Sequence, residues 1–325
     1  MKVAIIGAGI SGLACAERLK AAGCQVELFE KSRGPSGRMS TRRGDDWQCD
    51  HGAQYFTARS PEFQAEVERW SAAGVAAAWA PRMRVFGKRP QPSRETTQRW
   101  VGAPRMTAPA AWLARGFELR LEHTVFELRR EGEGWRVVST EQGIAPERFD
   151  VVLLSVPAPQ SVPLLAQHAP QLSALAASAR MRGSWALLLR SATPIAVPFD
   201  AAFINEGPLR WVARDSSKPG RPPGNTWLLH GEAEWSERHL ETSPEEVKDL
   251  LLEAWAGWVR SVDARLPPCE STLHRWRYAD TEPPLGRAAV FDRELRLGLC
   301  GDWLSSGRVE GAWTSGRALA DLVLG

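Results

Sequence analysis

The start of the chain alternates between apolar strand patterns and a helical pattern. Residues 2–6 (KVAII) form a β-branched apolar run that predicts a buried strand, and residues 11–22 have the spacing of a helix that ends at Gly23. Residues 25–30 (QVELFE) then alternate between polar and apolar side chains as a second strand. Together the three segments predict a βαβ unit, whose two strands lie parallel in one sheet.

The hydrophobic pattern changes several times farther along the chain. Residues 61–115 are rich in Ala, Trp, Arg and Pro and show poor periodicity, whereas 160–284 combine short alternating strands with one amphipathic helix at 243–262. A last helix is predicted to begin near Arg308 or Val309. Further strands are predicted at 119–140 (with a hairpin turn at Gly132–Gly134), 149–159, 185–190, 209–213, 226–231 and 295–300.

This succession predicts an α/β protein in which a discontinuous, Rossmann-type dinucleotide-binding domain receives an inserted α+β substrate domain. We expect the dinucleotide-binding domain at residues 1–60, 105–160 and 285–325, and the substrate domain at 61–104 and 161–284. A ligand site is then expected at the junction of the two domains, where clefts are often found.

Composition and charge exclude several classes of protein. With 325 residues, 43% of them hydrophobic, the chain can form a full core, and no stretch reaches the roughly 18 apolar residues of a membrane span. The formal charge of +3 comes without the basic runs of a nucleic-acid-binding protein, and the excess of Arg over Lys suits small anionic ligands. Five scattered cysteines without a C-x-x-C pair predict neither a disulfide framework nor a metal site, and they indicate a reducing cytoplasm.

A glycine motif stands between the first strand and the first helix. Gly7, Gly9 and Gly12 have the spacing G-x-G-x-x-G, which allows a tight turn, close approach of a pyrophosphate and close packing of helix on strand. The helix N-terminus at Ser11 offers unpaired N–H groups to an anion. Glu30 ends the second strand, where a carboxylate can accept hydrogen bonds from ribose hydroxyls. The motif therefore predicts a dinucleotide site.

Two further motifs indicate which dinucleotide. The segment EKSRGPSGRMST (30–41) resembles the Arg-x-Gly-Gly-Arg motif of the flavin amine oxidase superfamily, with Ser36 in place of the first glycine of the pair. The resemblance implies that Gly37 and Arg38 lie along the pyrophosphate and the isoalloxazine edge. The segment LCGDWLSSGRVEGAW (299–313) is similar to the superfamily's terminal motif, whose acid, here Asp302, holds the ribityl or phosphate region. The following helix would direct its N-terminus at the flavin pyrimidine ring, where its dipole stabilises negative charge.

The resemblance implies non-covalent FAD and a fold like those of flavin amine oxidases and p-hydroxybenzoate hydroxylase. Val125 takes the position that contacts adenine through backbone groups, and Glu310 is expected to be a capping or structural carboxylate. No cysteine falls in the loop where relatives attach flavin covalently, and Cys300 alone keeps that question open. The expected cofactor-binding residues are Gly7, Gly9, Ile10, Ser11, Gly12, Glu30, Lys31, Gly37, Arg38, Met39, Gln54, Tyr55, Val125, Ser155, Gly301, Asp302, Arg308 and Val309.

Four other segments resemble renalase and its bacterial relatives. They are DHGAQYFTARSPEF (50–63), LRWVARDSSKPGR (209–221), WLLHGEAEWSERHLE (227–241) and HRWRYADTEPP (274–284). Renalases are FAD oxidases that return the 2- and 6-dihydro isomers of NAD(P) to NAD(P)+ and pass the electrons to O2 as H2O2. The resemblance implies a nicotinamide dinucleotide isomer and O2 as reactants.

The substrate pocket is expected to be a flat, dry slot, because hydride transfer from a dihydropyridine yields an aromatic cation and needs no strong acid or base. The chain has one G-x-G-x-x-G motif among its 28 glycines, so the nicotinamide has to enter this slot as the substrate. Pocket candidates are Asn205, Trp211, His230, His274, Trp276 and Tyr278, with Trp303 as a further wall. Arg214, Lys218 and Arg221 could meet a carboxamide, ribose or phosphate, or form a solvated basic loop, and the histidines could be structural.

Three other functions share part of this pattern. A flavin-containing amine oxidase has the same FAD motifs, but this chain offers only Tyr55 and Tyr278 for the tyrosine pair that often holds an amine. A flavin hydroxylase would show Gly-Asp-Ala-x-His, whereas Trp303 follows Asp302 here. A non-enzymatic FAD-binding or redox-sensing protein would keep the cofactor motifs. The preference between NAD and NADP isomers and the oligomeric state stay open.

Overall fold

The computed structural model describes residues 1–87 and 98–325. The strands are β1 (Lys2–Ile6), β2 (Gln25–Glu30), β3 (Thr41–Arg43), β4 (Gln48–Asp50), β5 (Ala76–Trp79), β6 (Met83–Phe86), β7 (Arg99–Gly102), β8 (Glu118–Leu121), β9 (Val125–Glu131), β10 (Gly134–Ser139), β11 (Gly143–Ile144), β12 (Val151–Leu154), β13 (Met181–Ser191), β14 (Ala201–Ile204), β15 (Leu209–Arg214), β16 (Thr226–Gly231), β17 (Cys269–Thr281), β18 (Val290–Asp292) and β19 (Leu297–Leu299). The helices are α1 (Ile10–Ala21), α2 (Pro61–Ala72), α3 (Ala108–Ala114), α4 (Ala158–Leu165), α5 (Pro170–Ala177), α6 (Ala233–Arg238), α7 (Pro244–Arg260) and α8 (Val309–Leu324).

Strands from distant parts of the chain form the first large sheet, in the order β18-β19-β12-β1-β2-β8. All neighbours are parallel except β18, which pairs antiparallel with β19 at the edge. A parallel sheet has to be covered on both faces. Accordingly, Val3 and Ile5 of β1 join a core with α1 and α8, whereas Ala4 and Ile6 join a second core on the opposite face.

The second large sheet has the order β17-β13-β16-β15-β14-β6 and is antiparallel apart from the β14–β6 pair. Helix α7 covers one face of this sheet, where its Leu251 and Trp255 pack in a core with Leu187 and Leu189 of β13. The alternate residues Ala186 and Leu188 point to the other face and pack near β4. This second face lies toward the first sheet, and the site forms between them.

The α/β fold class is confirmed, and the two large sheets take their strands from different parts of the chain. Every strand of the first sheet falls within residues 1–60, 105–160 or 285–325, and every strand of the second within 61–104 or 161–284. Part of the predicted range 61–104, namely 88–97, lies outside the described residues. The exact domain boundaries stay a prediction.

Local sequence signals locate several elements closely. Helix α1, expected at 11–22, spans Ile10–Ala21. Helix α7, expected within 243–262, begins after Ser243, whose hydroxyl accepts a hydrogen bond from the N–H of Glu246 at 3.3 Å. Helix α8 begins at Val309 with Arg308 as its N-cap, and β9 and β10 form the expected hairpin.

Helix α2 lies in a region where the sequence predicts no regular element. Its start is nevertheless encoded, because the Ser60 hydroxyl accepts a hydrogen bond from the N–H of Phe63 at 3.4 Å and Pro61 opens the first turn. Phe63 packs against Trp313 of α8, with 5.4 Å between ring centroids. The helix therefore belongs to the core of the dinucleotide-binding half, although residues 61–104 were expected in the substrate domain. Helices α4 and α5 were not predicted either.

Within residues 1–87 and 98–325, no helix has the length and apolar character needed to cross a membrane.

Candidate active site

A long cleft of about 2770 Å³ separates the two sheets. The carboxyl ends of β1, β2, β12 and β19 open into it from one side, and β13, β16 and β17 contribute residues from the other. Ligands of open parallel sheets bind at this end of the strands. The volume exceeds the roughly 300–1,000 Å³ of a pocket for one drug-sized ligand, so the cleft has room for a dinucleotide and a second molecule.

The three glycines of the first motif have three different environments. Gly7 has a φ of +103°, and a Cβ there would lie 2.5 Å from the carbonyl oxygen of Ser155. A Cβ on Gly12 would lie 2.1 Å from the carbonyl oxygen of Gly7, so this glycine serves the packing of α1 on β1. Gly9, by contrast, has no atom of the described residues within 4 Å of its Cβ position and faces the open cleft at the N-terminus of α1.

The second motif packs directly against the first. The N–H of Ser36 donates to the carbonyl oxygen of Ala8 at 3.0 Å, and a Cβ on Gly37 would lie 3.5 Å from the Cα of Gly9. The buried Glu30 carboxylate accepts hydrogen bonds from the N–H groups of Ala8 and Ser32, both at 2.9 Å. The two loops together form a cradle of backbone groups with one carboxylate at its edge.

Arg38 and Asp302 join the two ends of the chain in the cleft. The Arg38 guanidinium donates from Nη1 to Asp302 Oδ2 at 2.9 Å and from Nη2 to Asp302 Oδ1 at 2.5 Å. Nη1 also donates to the carbonyl oxygen of Ala279 in β17 at 3.0 Å. The guanidinium therefore links the second motif, the terminal motif and the second sheet.

The wall of the cleft opposite the glycine loops is a cluster of aromatic rings formed by His51, His230, His274 and Trp276, hereafter the aromatic wall. The His51 ring stacks on Trp276 with 5.3 Å between centroids and lies edge-on to His274 at 4.7 Å. The carbonyl oxygen of His51 accepts hydrogen bonds from Trp276 Nε1 at 2.8 Å and from His230 Nε2 at 3.2 Å. The loop residue His51 thus ties the wall together.

The imidazoles of the aromatic wall are neutral at pH 7. Burial, with the nearby His274 and Arg42 charges, lowers the pKa of His51 to about 3. Burial likewise lowers the pKa of His230 to about 4, and burial with Arg42 lowers that of His274 to about 4. The wall therefore offers flat, uncharged surfaces and no imidazolium.

Cationic side chains dominate the rest of the cleft. Among the described residues, eleven arginines and one lysine line it, against four acidic residues. Two of the four acids stand beside cations, Asp302 beside Arg38 and Asp280 beside Arg182, and a third, Glu30, binds backbone N–H groups. The electrostatic balance of the cleft favours anionic ligands.

Family comparisons agree with this geometry. Residues 5–70 match the NAD(P)-binding Rossmann-like domain, and residues 94–324 match the flavin containing amine oxidoreductase family over most of the chain. The chain belongs to the flavin-containing amine oxidoreductase family. The predicted superfamily, fold type and FAD cofactor are confirmed.

Solved structures share the fold of this amine oxidoreductase at low sequence identity. A protein from Exiguobacterium sp. 255-15, provisionally described as a protoporphyrinogen oxidase, superposes with a TM-score of 0.75 at 14% identity, covering 99% of this chain and 98% of that one. An oxidoreductase from Methanosarcina mazei gives 0.69 at 14% identity, with 99% and 100% covered. An A394C mutant of putrescine oxidase gives 0.70 at 12% identity, with 99% and 98% covered.

Curated relatives match a short part of this amine oxidoreductase. A stretch of 52 residues is 48% identical to a 4,4'-diapophytoene desaturase of Staphylococcus haemolyticus, covering 16% of this chain and 10% of the desaturase. A desaturase of Staphylococcus aureus matches at 44% over the same length. The chain thus aligns with about a tenth of the length of these relatives.

The residues of the cleft fit FAD. Gly9 leaves an open surface for a pyrophosphate at the start of α1, where no side chain caps the helix. Of the expected cofactor-binding residues, all but Gly12 and Gln54 line the cleft. Gly12 packs beneath the glycine loop, and the Gln54 amide donates to the carbonyl oxygen of Asp50 at 2.7 Å. Their contacts with FAD stay a prediction for each residue.

The structure also decides the roles of two other residues of the terminal motif. Glu310 accepts hydrogen bonds from the N–H groups of Arg59 and Ser60, the latter at 2.7 Å, and is the capping carboxylate that the sequence predicts. Cys300 is buried outside the cleft lining, and burial raises the pKa of its thiol to about 11. A protonated, buried thiol is a poor nucleophile for covalent attachment of flavin.

Five of the six substrate-pocket candidates line the cleft, and Asn205 does not. Trp211, His230, His274, Trp276 and Tyr278 line it, as does Trp303. Asn205 donates from its amide to the carbonyl oxygen of Phe86 at 2.9 Å, because it follows β14 and faces the neighbouring β6. The pocket assignment of Asn205 therefore finds no support in the structure.

The three cationic candidates near residue 218 have other partners. Arg214 pairs with Asp200, and neither lines the cleft. Lys218 and Arg221 are buried in a cluster with Asp50 and Asp215, so they form neither a substrate contact nor a solvated loop. The predicted substrate contacts of Lys218 and Arg221 are therefore wrong. The burial of these two side chains cannot be read from the sequence of the loop.

Sequence reasoning missed His51, which contacts more of the aromatic wall than any predicted residue. Its segment, DHGAQYF, is part of one of the segments that resemble renalase, and the sequence predicts two of its residues, Gln54 and Tyr55, near the cofactor. The signal in the sequence that could have pointed to His51 is the glycine that follows it, because a glycine allows the loop to pack closely against another segment. A Cβ on Gly52 would lie 2.0 Å from the carbonyl oxygen of Arg38.

Proposed function

We propose that this flavoprotein oxidises the 2- and 6-dihydro isomers of NAD(P) to NAD(P)+. In the balanced reaction, the dihydronicotinamide, O2 and one proton give NAD(P)+ and H2O2. FAD, when bound, supplies the hydride acceptor and returns the two electrons to O2. The remaining work belongs to the chain, which has to bind an anionic dinucleotide, present the dihydropyridine flat and exclude water.

The aromatic wall in a cationic cleft is the observation that carries this proposal. Trp276 and His51 present ring faces on which a nicotinamide can stack. The arginines that line the cleft suit the phosphates of a dinucleotide. An uncharged ring surface bordered by arginines matches a ligand that has both a flat heterocycle and a pyrophosphate.

The charge state of the wall supports the same reaction. Loss of a hydride turns a neutral dihydropyridine into a cationic pyridinium, so a neighbouring imidazolium would oppose the step. Low pKa values keep His51, His230 and His274 uncharged at pH 7. The reaction needs no general base to accept a proton. An aromatic wall that binds the dihydropyridine and stays uncharged is therefore sufficient for this reaction.

An aliphatic amine suits this cleft less well, although the family membership keeps amine oxidation as the alternative. Protonated amines would meet the arginines of the cleft. Amine oxidases often hold the amine between two aromatic rings, and Tyr55 and Trp211 come nearest to such a pair here. Their ring centroids are 5.4 Å apart, and the two rings are in contact with each other. No substrate fits between them in this arrangement.

Anaerobic reduction of the bound flavin tests the proposal. The dihydro isomers of NAD and NADP, ordinary NADH and NADPH, and a panel of amines that includes putrescine are added separately while absorbance near 450 nm is recorded. We expect rapid bleaching by the isomers and little by the other compounds, and one H2O2 per donor oxidised when air is admitted. Bleaching by an amine in place of the isomers would establish the alternative, and no bleaching would favour a non-enzymatic FAD-binding protein.

A further inference from the structure

Four buried charges form a cluster next to the aromatic wall but outside the cleft. Lys218 Nζ lies 3.0 Å from Asp50 Oδ2 and 2.7 Å from Asp215 Oδ1, and Arg221 Nη2 lies 2.5 Å from Asp50 Oδ2. The side chains of all four are at most 1% exposed. We name these four residues the charge cluster.

The charge cluster joins the β3–β4 hairpin to the loop that follows β15 of the second large sheet. Asp50 ends β4, while Asp215, Lys218 and Arg221 lie after β15 in the second half of the molecule. Arg221 Nη1 donates to the carbonyl oxygen of Gly102 at the end of β7, at 2.7 Å. Buried ion pairs add little net stability compared with apolar side chains of the same volume, so stability alone does not account for the cluster.

The backbone from Asp50 to Gln54 connects the charge cluster to the cleft. Lys218 Nζ donates to Gln54 Oε1 at 3.2 Å, and the Gln54 amide donates back to the carbonyl oxygen of Asp50 at 2.7 Å. Between these two residues, His51 accepts the hydrogen bonds of the aromatic wall, and the N–H of Ala53 donates to the carbonyl oxygen of Arg38 at 2.8 Å. The loop 51–53 is thus held by the charge cluster, and it contacts both the aromatic wall and the second motif at Arg38.

We propose that Asp50, held by Lys218 and Arg221, is a positioning residue. It fixes the 51–53 loop and so holds the aromatic wall in place relative to the second motif at residues 37–38. Asp50 is not in contact with substrate in this role. It acts through His51, whose carbonyl oxygen anchors Trp276 and His230. The proposal rests on the flavin-dependent oxidation proposed above, but not on the identity of the donor.

The test compares Asp50→Asn with Asp200→Asn in the FAD-loaded protein. Asp200 is the matched control, because it is a poorly exposed carboxylate that pairs with Arg82 and Arg214 and does not line the cleft. With the donor that bleaches the wild-type flavin, we expect Asp50→Asn to slow reduction at saturating donor by about tenfold or more, because small misplacements are costly in hydride transfer. Asp200→Asn should change the rate less than about threefold.

A double variant separates positioning from stability. Asp50→Asn leaves an unbalanced cation in the charge cluster, whereas Asp50→Asn with Lys218→Met restores neutrality without the hydrogen bonds to the loop. We expect the double variant to regain thermal stability and remain slow in flavin reduction. Recovery of both properties would overturn the proposal.

Amide hydrogen exchange provides a readout that needs no donor. We expect faster exchange in peptides covering 48–56 and 272–279 of Asp50→Asn, and wild-type exchange there in Asp200→Asn. If Asp50→Asn exchanges like the wild type in these peptides, the positioning role is refuted, whether or not a dihydronicotinamide reduces the flavin. If the wild-type flavin is bleached by none of the isomers, the proposed substrate fails and the exchange result still decides the role of Asp50.

Discussion

Arg38 connects three distant segments of the chain through one side chain. It comes from a loop after β2, yet it pairs with Asp302 and with the backbone of Ala279. Lys218 and Arg221 also come from a loop rich in glycine and proline, but they are buried away from the cleft. Sequence motifs distinguish these cases only in part, because a residue's burial depends on which distant segment covers it.

We expect Arg38→Ala to lower FAD affinity by tenfold to a hundredfold. The substitution removes charged hydrogen bonds worth about 1.5–3 kcal/mol and leaves the Asp302 carboxylate near the anionic pyrophosphate without its cation. The flavin-to-protein absorbance ratio after desalting measures the effect. Arg293→Ala, a substitution of an exposed arginine that follows β18 and does not line the cleft, is the control and should retain FAD. Equal flavin content in both variants would mean that the Arg38 motif is misassigned.

At the scale of elements, the packing of α1 against α8 determines the geometry of the glycine loop. A Cβ on Gly316 of α8 would lie 2.0 Å from the carbonyl oxygen of Ser11 in α1. Helix α8 therefore packs directly against the first turn of α1, whose N-terminus faces the cleft. Close approach of the two backbones is possible only without a side chain at that position.

Gly316→Ala should destabilise the protein by about 1–3 kcal/mol and weaken FAD binding, since the added methyl displaces the start of α1. Gly257→Ala is the matched control, because Gly257 also lies inside a helix, α7, and its Cβ would have only the Arg260 side chain at 4.0 Å. That variant should gain about 0.5–1 kcal/mol from the better helix propensity of alanine. Denaturant melts with and without added FAD measure both effects. Similar melts for the two variants would contradict the packing argument.

Elements with strong local signals could be predicted, and elements defined by tertiary contacts could not. The βαβ unit and α7 carry their own periodicity and end signals, and their bounds agree closely with the structure. Helix α2 was missed although Phe63, Val67 and Trp70 have helical spacing, because the whole segment 61–115 was judged together and its later part lacks that periodicity. The aromatic wall was found through His230, His274 and Trp276 but not through His51, whose importance lies in its backbone oxygen.

For the whole molecule, the histidines of the aromatic wall make stability depend on pH. His230 has a pKa of about 4 in the folded protein and an ordinary value of 6.5 when exposed, so the unfolded chain binds more protons between those values. Its contribution to stability is therefore complete above pH 6.5 and is lost as the pH falls toward 4. His51 and His274 act in the same direction.

His230→Gln should keep the hydrogen bond to His51 through its amide and remove the titration. Relative to the wild type, we expect this variant to gain about 2 kcal/mol in stability between pH 7 and pH 4.5. Thermal melts across this range measure the difference. His168→Gln, a substitution outside the cleft lining, should melt in parallel with the wild type, and a parallel course for His230→Gln would refute the assigned pKa.

The order of strands in the first sheet has a consequence for biosynthesis. β1 and β2 leave the ribosome first, but their sheet needs β19 and β18, and the cleft needs Asp302 and α8, all encoded after residue 289. The sheet therefore stays incomplete until residues 290–299 are synthesised, and its apolar strands lack their distant partners until then. Cofactor loading therefore has to wait for residues 290–324, and nascent fragments without them should require chaperones and fail to retain FAD.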